Sequence, residues 1–200
     1  TRQVHAARLG RRDIVRGPAG ARDLLVGASS LRLARRGKQL AMIAPDGRTV
    51  VVHLGMSGQL FWAAPGARLE QRDHVHAMWR LRECERPGGR LIFRDPRRFG
   101  GLWTFPSPQA LEGARWGRLG PDALGVDGAT LGERLGMSRR ALKAALLDQG
   151  VVAGVGNIYA SEICHVAALS PIRRVDTLRP ADTRRLLSAT RRVLRRAIRN

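Results

Sequence analysis

The sequence predicts an α+β protein in which a β-rich part precedes a helical part. Up to about Phe105, short apolar runs alternate with turns rich in Gly, Pro and Asp, which is typical of a β-sandwich or barrel. From about residue 131, apolar residues recur at spacings of three and four, as on one face of a helix. We therefore expect a β-domain over 1–118, a glycine-containing linker over 119–130 and a helical domain over 131–200.

The β-domain is predicted from successive runs and turns. Pro-Asp-Gly between two apolar runs predicts a hairpin, because glycine supplies the positive φ of the turn. A second pair of strands should be joined by a loop containing Pro87, Gly88 and Gly89. In chain order, the segments are residues 24–33, the basic turn Arg35–Lys38, the runs QLAMIAP and TVVVHLGM around Asp46-Gly47, and the runs HVHAMWRLR and RLIFRD.

The helical domain is predicted from LGERLGMSRRALKAALLDQ, which ends in a helix over 141–149. A turn with three glycines follows, and a further helix should run from Asn157, as its N-cap, to about Ala168. A last helix over 179–200 carries leucine and valine on one face and arginine on the other. We expect it to pack on the preceding helices, although a basic amphipathic helix also suits a membrane surface.

The composition favours a polyanionic partner. The formal net charge is +20, with 36 basic and 16 acidic residues, and nucleic acid is a better candidate than an anionic membrane surface. No apolar run approaches the roughly 20 residues of a spanning helix, and residues 1–12 do not resemble a secretory signal. Cys84 and Cys164 are far apart, which excludes a cysteine-rich zinc site in these residues and suits a reducing cytoplasm.

Three features point to DNA chemistry. The glycine turn before Asn157 bares a helix N-terminus, which suits an anion, although an ordinary helix–turn–helix corner has the same pattern. Met56 lies between two glycines, and Phe99 lies between Arg98 and Gly100. Apolar side chains beside arginines can enter a DNA base step as a wedge, while the alternative is that each folds back on the core.

Four segments together carry a family resemblance. In this order, HLGMSG, DPRRFG, LGPDAL and LLDQGVVAGVGNIYASE resemble the formamidopyrimidine-DNA glycosylase family and, more distantly, endonuclease VIII. The resemblance extends from about Val4 onward. It implies a two-sheet β-sandwich domain and a helix–two-turn–helix domain with DNA held between them. It also implies a monomer that excises oxidised purines from duplex DNA in base-excision repair and cleaves abasic sites by β,δ-elimination.

The resemblance also implies residue roles. Met56, Arg97 and Phe99 match the triplet that fills the duplex when the damaged nucleotide is flipped out. Lys38 matches a lysine that binds a phosphate at the lesion and assists elimination, and Asn157 matches a clamp on backbone phosphate. Further DNA contacts are expected at Arg72, Arg139, Arg140 and Lys143.

The chain departs from the family pattern at two places. The family's nucleophile is an N-terminal proline followed by glutamate, whereas this sequence begins Thr1-Arg2. The family's four-cysteine zinc finger also has no counterpart, so zinc is expected only in a full-length member and no cofactor in this chain. We expect a truncated, inactive form of a bifunctional DNA glycosylase/AP lyase. The alternatives are a catalytically inactive relative that binds damaged or abasic DNA, and a basic membrane-surface protein.

Overall fold

The computed structural model describes residues 2–69, 73–83 and 86–199, and it has the α+β architecture predicted above. The chain divides into two compact units, one of Thr1–Arg35 with Gln39–Arg115 and one of Arg36–Lys38 with Trp116–Asn200. The turn Arg36–Lys38 thus belongs with the helical residues. The strands are β1 Arg2–Leu9, β2 Val15–Arg16, β3 Arg32–Arg36, β4 Gln39–Ile43, β5 Thr49–His53, β6 Gln59–Ala63, β7 Val75–Glu83, β8 Arg86–Arg94 and β9 Gly101–Phe105. The α-helices are α1 Pro108–Ala114, α2 Gly128–Gly136, α3 Leu142–Leu147, α4 Asn157–Val166 and α5 Pro180–Arg199.

The first unit is a sandwich of two sheets. A four-stranded sheet has the order β1-β7-β8-β6, and a five-stranded sheet has the order β2-β9-β5-β4-β3. The short β2 pairs with β9 in parallel, whereas β4–β5, β5–β9, β6–β8, β7–β8 and β1–β7 are antiparallel. Apolar side chains of both sheets form one core, including Val4, Trp79 and Phe93 from one sheet and Met42, Val50 and Leu102 from the other.

The Pro-Asp-Gly hairpin prediction is confirmed. Gly47 has φ +90° and donates its N–H to Ala44 O at 2.9 Å, while Ala44 N–H donates to Arg48 O at 2.8 Å. These bonds join β4 to β5, whose Val50, Val51 and Val52 are fully buried.

Two strand predictions were wrong in detail. Residues 24–31 form local turns, in which Val26 N–H donates to Ala21 O at 3.0 Å and Leu25 adopts φ +67°, so β3 starts only at Arg32. Pro87, Gly88 and Gly89 lie within β8 instead of in a loop, and Pro87 is paired with Arg82. Glycine is required at position 89, since an added Cβ would clash with the Trp62 ring of the neighbouring strand.

The second unit is built from helices around its own apolar core. The segment predicted as helical over 131–149 is divided into α2 and α3 by a connection at residues 137–141. Leu186, Val193 and Leu194 of α5 are buried with residues of α2, α3 and α4, which confirms the predicted packing of the last helix. Cys164 is buried in this core, and its burial raises the pKa of the thiol; Cys84 lies outside the described residues. Within the described ranges, no helix combines the length and the apolar character needed to cross a bilayer.

Candidate nucleic-acid interface

Two loops of the first unit present apolar side chains to solvent. Met56 lies between β5 and β6 and is 75% exposed, and Phe99 lies between β8 and β9 and is 60% exposed. Neither side chain folds back on the core. Both side chains therefore lie at the surface, where a partner can contact them.

The two loops are in backbone contact. Gly55 has φ +63°, and a Cβ there would lie 2.5 Å from both Phe99 C and Gly100 N. A Cβ at Gly100 would lie 2.5 Å from His53 O. Only glycine permits such an approach, so these residues place Met56 and Phe99 on adjoining turns.

The buried carboxylate of Asp95 connects the two loops. Asp95 is fully buried, accepts a hydrogen bond from Ser57 Oγ at 2.6 Å and accepts another from Gly100 N–H at 2.7 Å. Arg97 N–H in turn donates to Ser57 Oγ at 3.3 Å. One side chain therefore bonds to the loop of Met56 through Ser57 and to the loop of Phe99 through Gly100.

The environment of Asp95 favours its ionised form. Burial on its own would raise the pKa of this carboxyl. The hydrogen bonds from Ser57 and from backbone N–H groups of the second loop outweigh that effect, and the pKa is lowered. Asp95 is thus an anionic acceptor that fixes the turn geometry at neutral pH.

Arginines flank the exposed phenylalanine. Arg97 Cζ lies 5.1 Å from the centroid of the Phe99 ring, within the range of a cation–π contact. Arg98 adopts φ +57° and lies 3.6 Å from the Asp13 carboxylate. The turn therefore presents an aromatic ring with a cation beside it, a combination that suits a stacked base and its phosphate.

In the second unit, Lys38 lies against the glycine loop that precedes α4. Its Nζ donates to Val155 O at 3.2 Å, and the partial burial of the ammonium lowers the pKa of Lys38. Gly37 N–H donates to Asp122 Oδ2 at 3.1 Å, and a Cβ at Gly37 would lie 3.0 Å from Ala153 Cβ. The motif LGPDAL thus supplies the carboxylate that holds the turn of Lys38.

Gln149 holds the glycine loop from inside. Its Nε2 donates to Val155 O at 3.0 Å and its Oε1 accepts from Gly154 N–H at 3.0 Å. Val155 O therefore accepts from both Gln149 and Lys38. This shared acceptor couples the position of the lysine to the shape of the loop.

The loop ends at the N-terminus of α4. Gly156 occupies the N-cap position and no side chain caps the helix, so the prediction of Asn157 as N-cap was wrong by one residue. Asn157 is the exposed first residue of the helix. Its side chain and the uncapped first-turn N–H groups are available to an anion, as at other helix N-termini.

The remaining basic candidates lie in different settings. Arg139 and Arg140 are exposed in the connection before α3, instead of on a helix as predicted, and pair with Asp176 at 3.8 Å and with Asp148 at 2.6 Å. Lys143 is half-buried on α3, and Arg72 lies outside the described residues.

Comparison with known proteins agrees with this geometry. Residues 1–102 match the family model of the formamidopyrimidine-DNA glycosylase N-terminal domain, and residues 119–200 match the formamidopyrimidine-DNA glycosylase H2TH domain. The chain belongs to the formamidopyrimidine-DNA glycosylase family. This is a family of DNA-repair glycosylases, and the resemblance stated from the sequence is confirmed.

Individual relatives show how much of a family member the chain represents. It is 38% identical to the formamidopyrimidine-DNA glycosylase of Cereibacter sphaeroides over 98% of this chain and 71% of that protein. It is 41% identical to that of Rhodospirillum rubrum over 83% of this chain and 58% of that protein. The 200 residues thus correspond to part of the length of these relatives.

Solved structures of the family match nearly the whole chain. The MutM (Fpg) protein of Thermus thermophilus is 36% identical with a TM-score of 0.82, covering 99% of this chain and 69% of that one. The Lactococcus lactis enzyme in complex with DNA containing FAPY-dG is 27% identical with a TM-score of 0.84, covering 99% of this chain and 73% of that one.

The described residues contain no candidate ligands for the zinc finger of the glycosylase family. Across residues 2–69, 73–83 and 86–199, no group of three or more His, Cys, Asp or Glu side chains is placed to hold a metal ion. The sequence has two cysteines, too few for a four-cysteine site.

The sequence analysis did not identify the residues that hold the loops of Met56 and Phe99, the turn of Lys38 and the glycine loop before α4. Asp95, Ser57, Gln149 and Asp122 carry the hydrogen bonds described above, yet none was singled out as a site residue. Asp95 before Pro96 is a common start of a turn, so its side chain could have been expected to accept backbone N–H groups. No comparable signal marks Gln149, because its partners follow it in an irregular loop.

Proposed function

We propose that this chain recognises oxidised or abasic sites in duplex DNA, as part of a bifunctional DNA glycosylase/AP lyase of base-excision repair. The observation that carries the proposal is the pair of exposed side chains, Met56 and Phe99, on loops joined through Gly55, Gly100 and Asp95. Inserted into a duplex, they replace the stacking lost when a nucleotide leaves the helix. Arg97 beside the ring adds a cation for the opposite base or its phosphate.

The second unit supplies phosphate contacts. Asn157 and the uncapped N–H groups of α4 bind a backbone phosphate, and Lys38 binds a phosphate at the lesion. The lowered pKa of Lys38 makes its proton easier to release than that of a fully hydrated lysine, which suits assistance to elimination. These contacts give affinity without reading sequence, while the wedge gives preference for a disrupted base pair.

These residues serve recognition, and none of them supplies the nucleophile. None of the ten prolines is followed by glutamate, the pair that serves as nucleophile and acid in the family. In the full reaction, an amine attacks C1′ and expels the base, and the resulting imine acidifies the C2′ proton for elimination. Met56 and Phe99 keep the nucleotide out of the base stack, where this chemistry can reach it.

The test is a titration of the chain with two duplexes that differ only in one abasic analogue. We expect tighter binding of the abasic duplex, with a ratio of affinities that persists as salt is raised. Both absolute affinities should fall steeply with salt. Each phosphate contact should contribute about −0.9 to the slope of log K against log salt concentration. Equal affinity for the two duplexes would refute the proposal.

An Asn157→Ala variant tests the phosphate clamp separately. Because Gly156 is the N-cap, the substitution should leave the melting temperature nearly unchanged. It should weaken binding to both duplexes by the same factor, since phosphate contacts do not sense the lesion. Unchanged affinity for both duplexes would remove Asn157 from the interface.

A further inference from the structure

The outward face of α5 carries a dense row of arginines that the interface described above does not use. The helix Pro180–Arg199 contains seven arginines and one acidic residue, Asp182. Four of these arginines recur at helical spacing, and we call them the arginine stripe: Arg184, Arg191, Arg195 and Arg199. They line one groove together with Leu187, Ser188 and Arg192.

The arginine stripe has little local charge compensation. Asp182, the carboxylate of α5, pairs with Arg173, Arg179 and Arg185, none of which belongs to the stripe. Among the described residues, no carboxylate lies within ion-pair distance of the four stripe arginines; Glu162 lines a neighbouring groove with Arg192 and Arg196. Like charges four residues apart, as in Arg191–Arg195 and Arg195–Arg199, destabilise a helix. An unfavourable arrangement of this kind is relieved when a polyanion binds.

The stripe is also partly ordered before any partner binds. Arg191 donates an N–H of its guanidinium to Val126 O at 2.9 Å, which fixes that side chain against the loop before α2. With a rise of about 1.5 Å per residue, the stripe from Arg184 to Arg199 is about 22 Å long. One strand of B-DNA presents roughly six phosphates over that length.

The opposite face of α5 decides between DNA and a membrane. A helix that binds a bilayer surface inserts its apolar face among the lipids. Here that face is occupied, because Leu186, Val193 and Leu194 are buried in the core of the second unit. The arginine face remains exposed and suits a hydrated polyanion, whereas Ile198 is a single exposed apolar side chain near the end of the helix.

We propose that the arginine stripe of α5 is a further phosphate-binding surface for duplex DNA, additional to the loop of Lys38 and Asn157. The proposal rests on the proposed function, since it takes DNA as the partner of the chain. Such a surface adds affinity for any duplex that is long enough, and adds nothing to the preference for a lesion.

The experiment compares two triple variants with equal loss of charge. The stripe variant is Arg184→Gln/Arg195→Gln/Arg199→Gln. The control variant is Arg8→Gln/Arg32→Gln/Arg80→Gln, which removes three exposed arginines from strands of the first unit. Glutamine preserves helix propensity, and removal of like-charge neighbours should leave the melting temperature of the stripe variant equal or higher.

Binding is measured with an intact duplex of about 30 base pairs, roughly three helical turns, between about 50 and 200 mM salt. For the stripe variant we expect about tenfold weaker binding at low salt and a slope reduced by about 0.9 for each lost contact. The slope of the control variant should change by less than about a third of the change seen for the stripe variant. The three control arginines act on DNA only through the long-range field.

The outcomes separate the two proposals. If the unsubstituted chain prefers the abasic duplex, but the stripe variant binds the long duplex with the same affinity and salt slope as the control variant, the inference from the stripe is wrong and the proposed function stands. If the unsubstituted chain shows no such preference, the proposed function fails. If the stripe variant loses binding to vesicles of anionic phospholipid while its DNA affinity is unchanged, the partner is a membrane and the inference is overturned.

Discussion

Truncation of Phe99 to alanine separates a functional wedge from a structural side chain. The ring is 60% exposed, so less than half of its surface contributes to the fold. A fully buried phenylalanine costs about 3–5 kcal/mol on truncation, and we therefore expect a loss of roughly 1–2 kcal/mol or less here. Stacking of a base on an aromatic ring is worth about 1–3 kcal/mol, so the preference for abasic over intact duplex should fall by about one order of magnitude.

The assay is a fluorescence titration of Phe99→Ala with the intact and the abasic duplex, together with thermal melting. Affinity for the intact duplex should stay nearly constant, because nonspecific affinity comes from phosphate contacts. Ile172→Ala is a matched control, since Ile172 is an 81% exposed apolar side chain of the other unit. It should alter neither the preference nor the melting temperature appreciably.

Two patterns of results would refute this role of Phe99. If Phe99→Ala lowers the melting temperature strongly while the ratio of the two affinities is unchanged, the ring supports the fold and does not enter the duplex. If Ile172→Ala lowers the ratio as much as Phe99→Ala, the preference arises from general apolar surface and not from the wedge.

Two further predictions follow from the buried carboxylates. Asp95→Asn replaces the anionic acceptor of Ser57 O–H and Gly100 N–H by a neutral amide, whose NH2 group then faces one of these two donors. Hydrogen bonds to charged groups are worth about 1.5–3 kcal/mol, so melting should occur several degrees lower. The abasic preference should weaken while intact-duplex affinity persists. A preference unaffected by Asp95→Asn would show that the loops keep their geometry without it. The pKa of Asp182 lies well below its usual range because Arg179 N–H and the Arg185 guanidinium donate to the carboxylate. Its stabilising effect is complete above an unfolded pKa of about 3.9 and is lost as the pH falls towards the native value, so acid unfolding curves of Asp182→Asn should be flatter below about pH 5 than those of the parent chain. Parallel acid unfolding curves would contradict this role of Asp182.

Local sequence patterns predicted the elements whose structure depends on nearby residues. The turn at Asp46-Gly47 and the buried run of β5 follow from positive φ at glycine and from continuous apolar character. The arginine and leucine faces of α5 follow from helical spacing in the same way. In each case the decisive contacts lie within a few residues or on one face of one element.

Predictions failed where distant residues decide the local structure. Gly88 and Gly89 are typical of a loop, but they lie in β8, where Trp62 of the adjacent strand occupies the space that a side chain at position 89 would need. Helix α1 is different, because its start depends on local residues, the capping hydroxyl of Ser107 and Pro108 in the first turn. Lys38 was identified from the family motif, but its contact with Val155 depends on a loop more than a hundred residues away.

The same physical problem arises at both candidate sites and has the same solution. In the proposed role, a side chain that contacts DNA cannot also hold its own loop in place, because its surface has to remain free. At the wedge, position is therefore set by backbone contact at Gly55 and Gly100 and by the hydrogen bonds of the buried Asp95. At the lysine turn it is set by Gly37 against the glycine loop and by the carboxylate of Asp122. Glycines and the carboxylates of Asp95 and Asp122 supply the rigidity, and the exposed side chains remain free for the binding role proposed above.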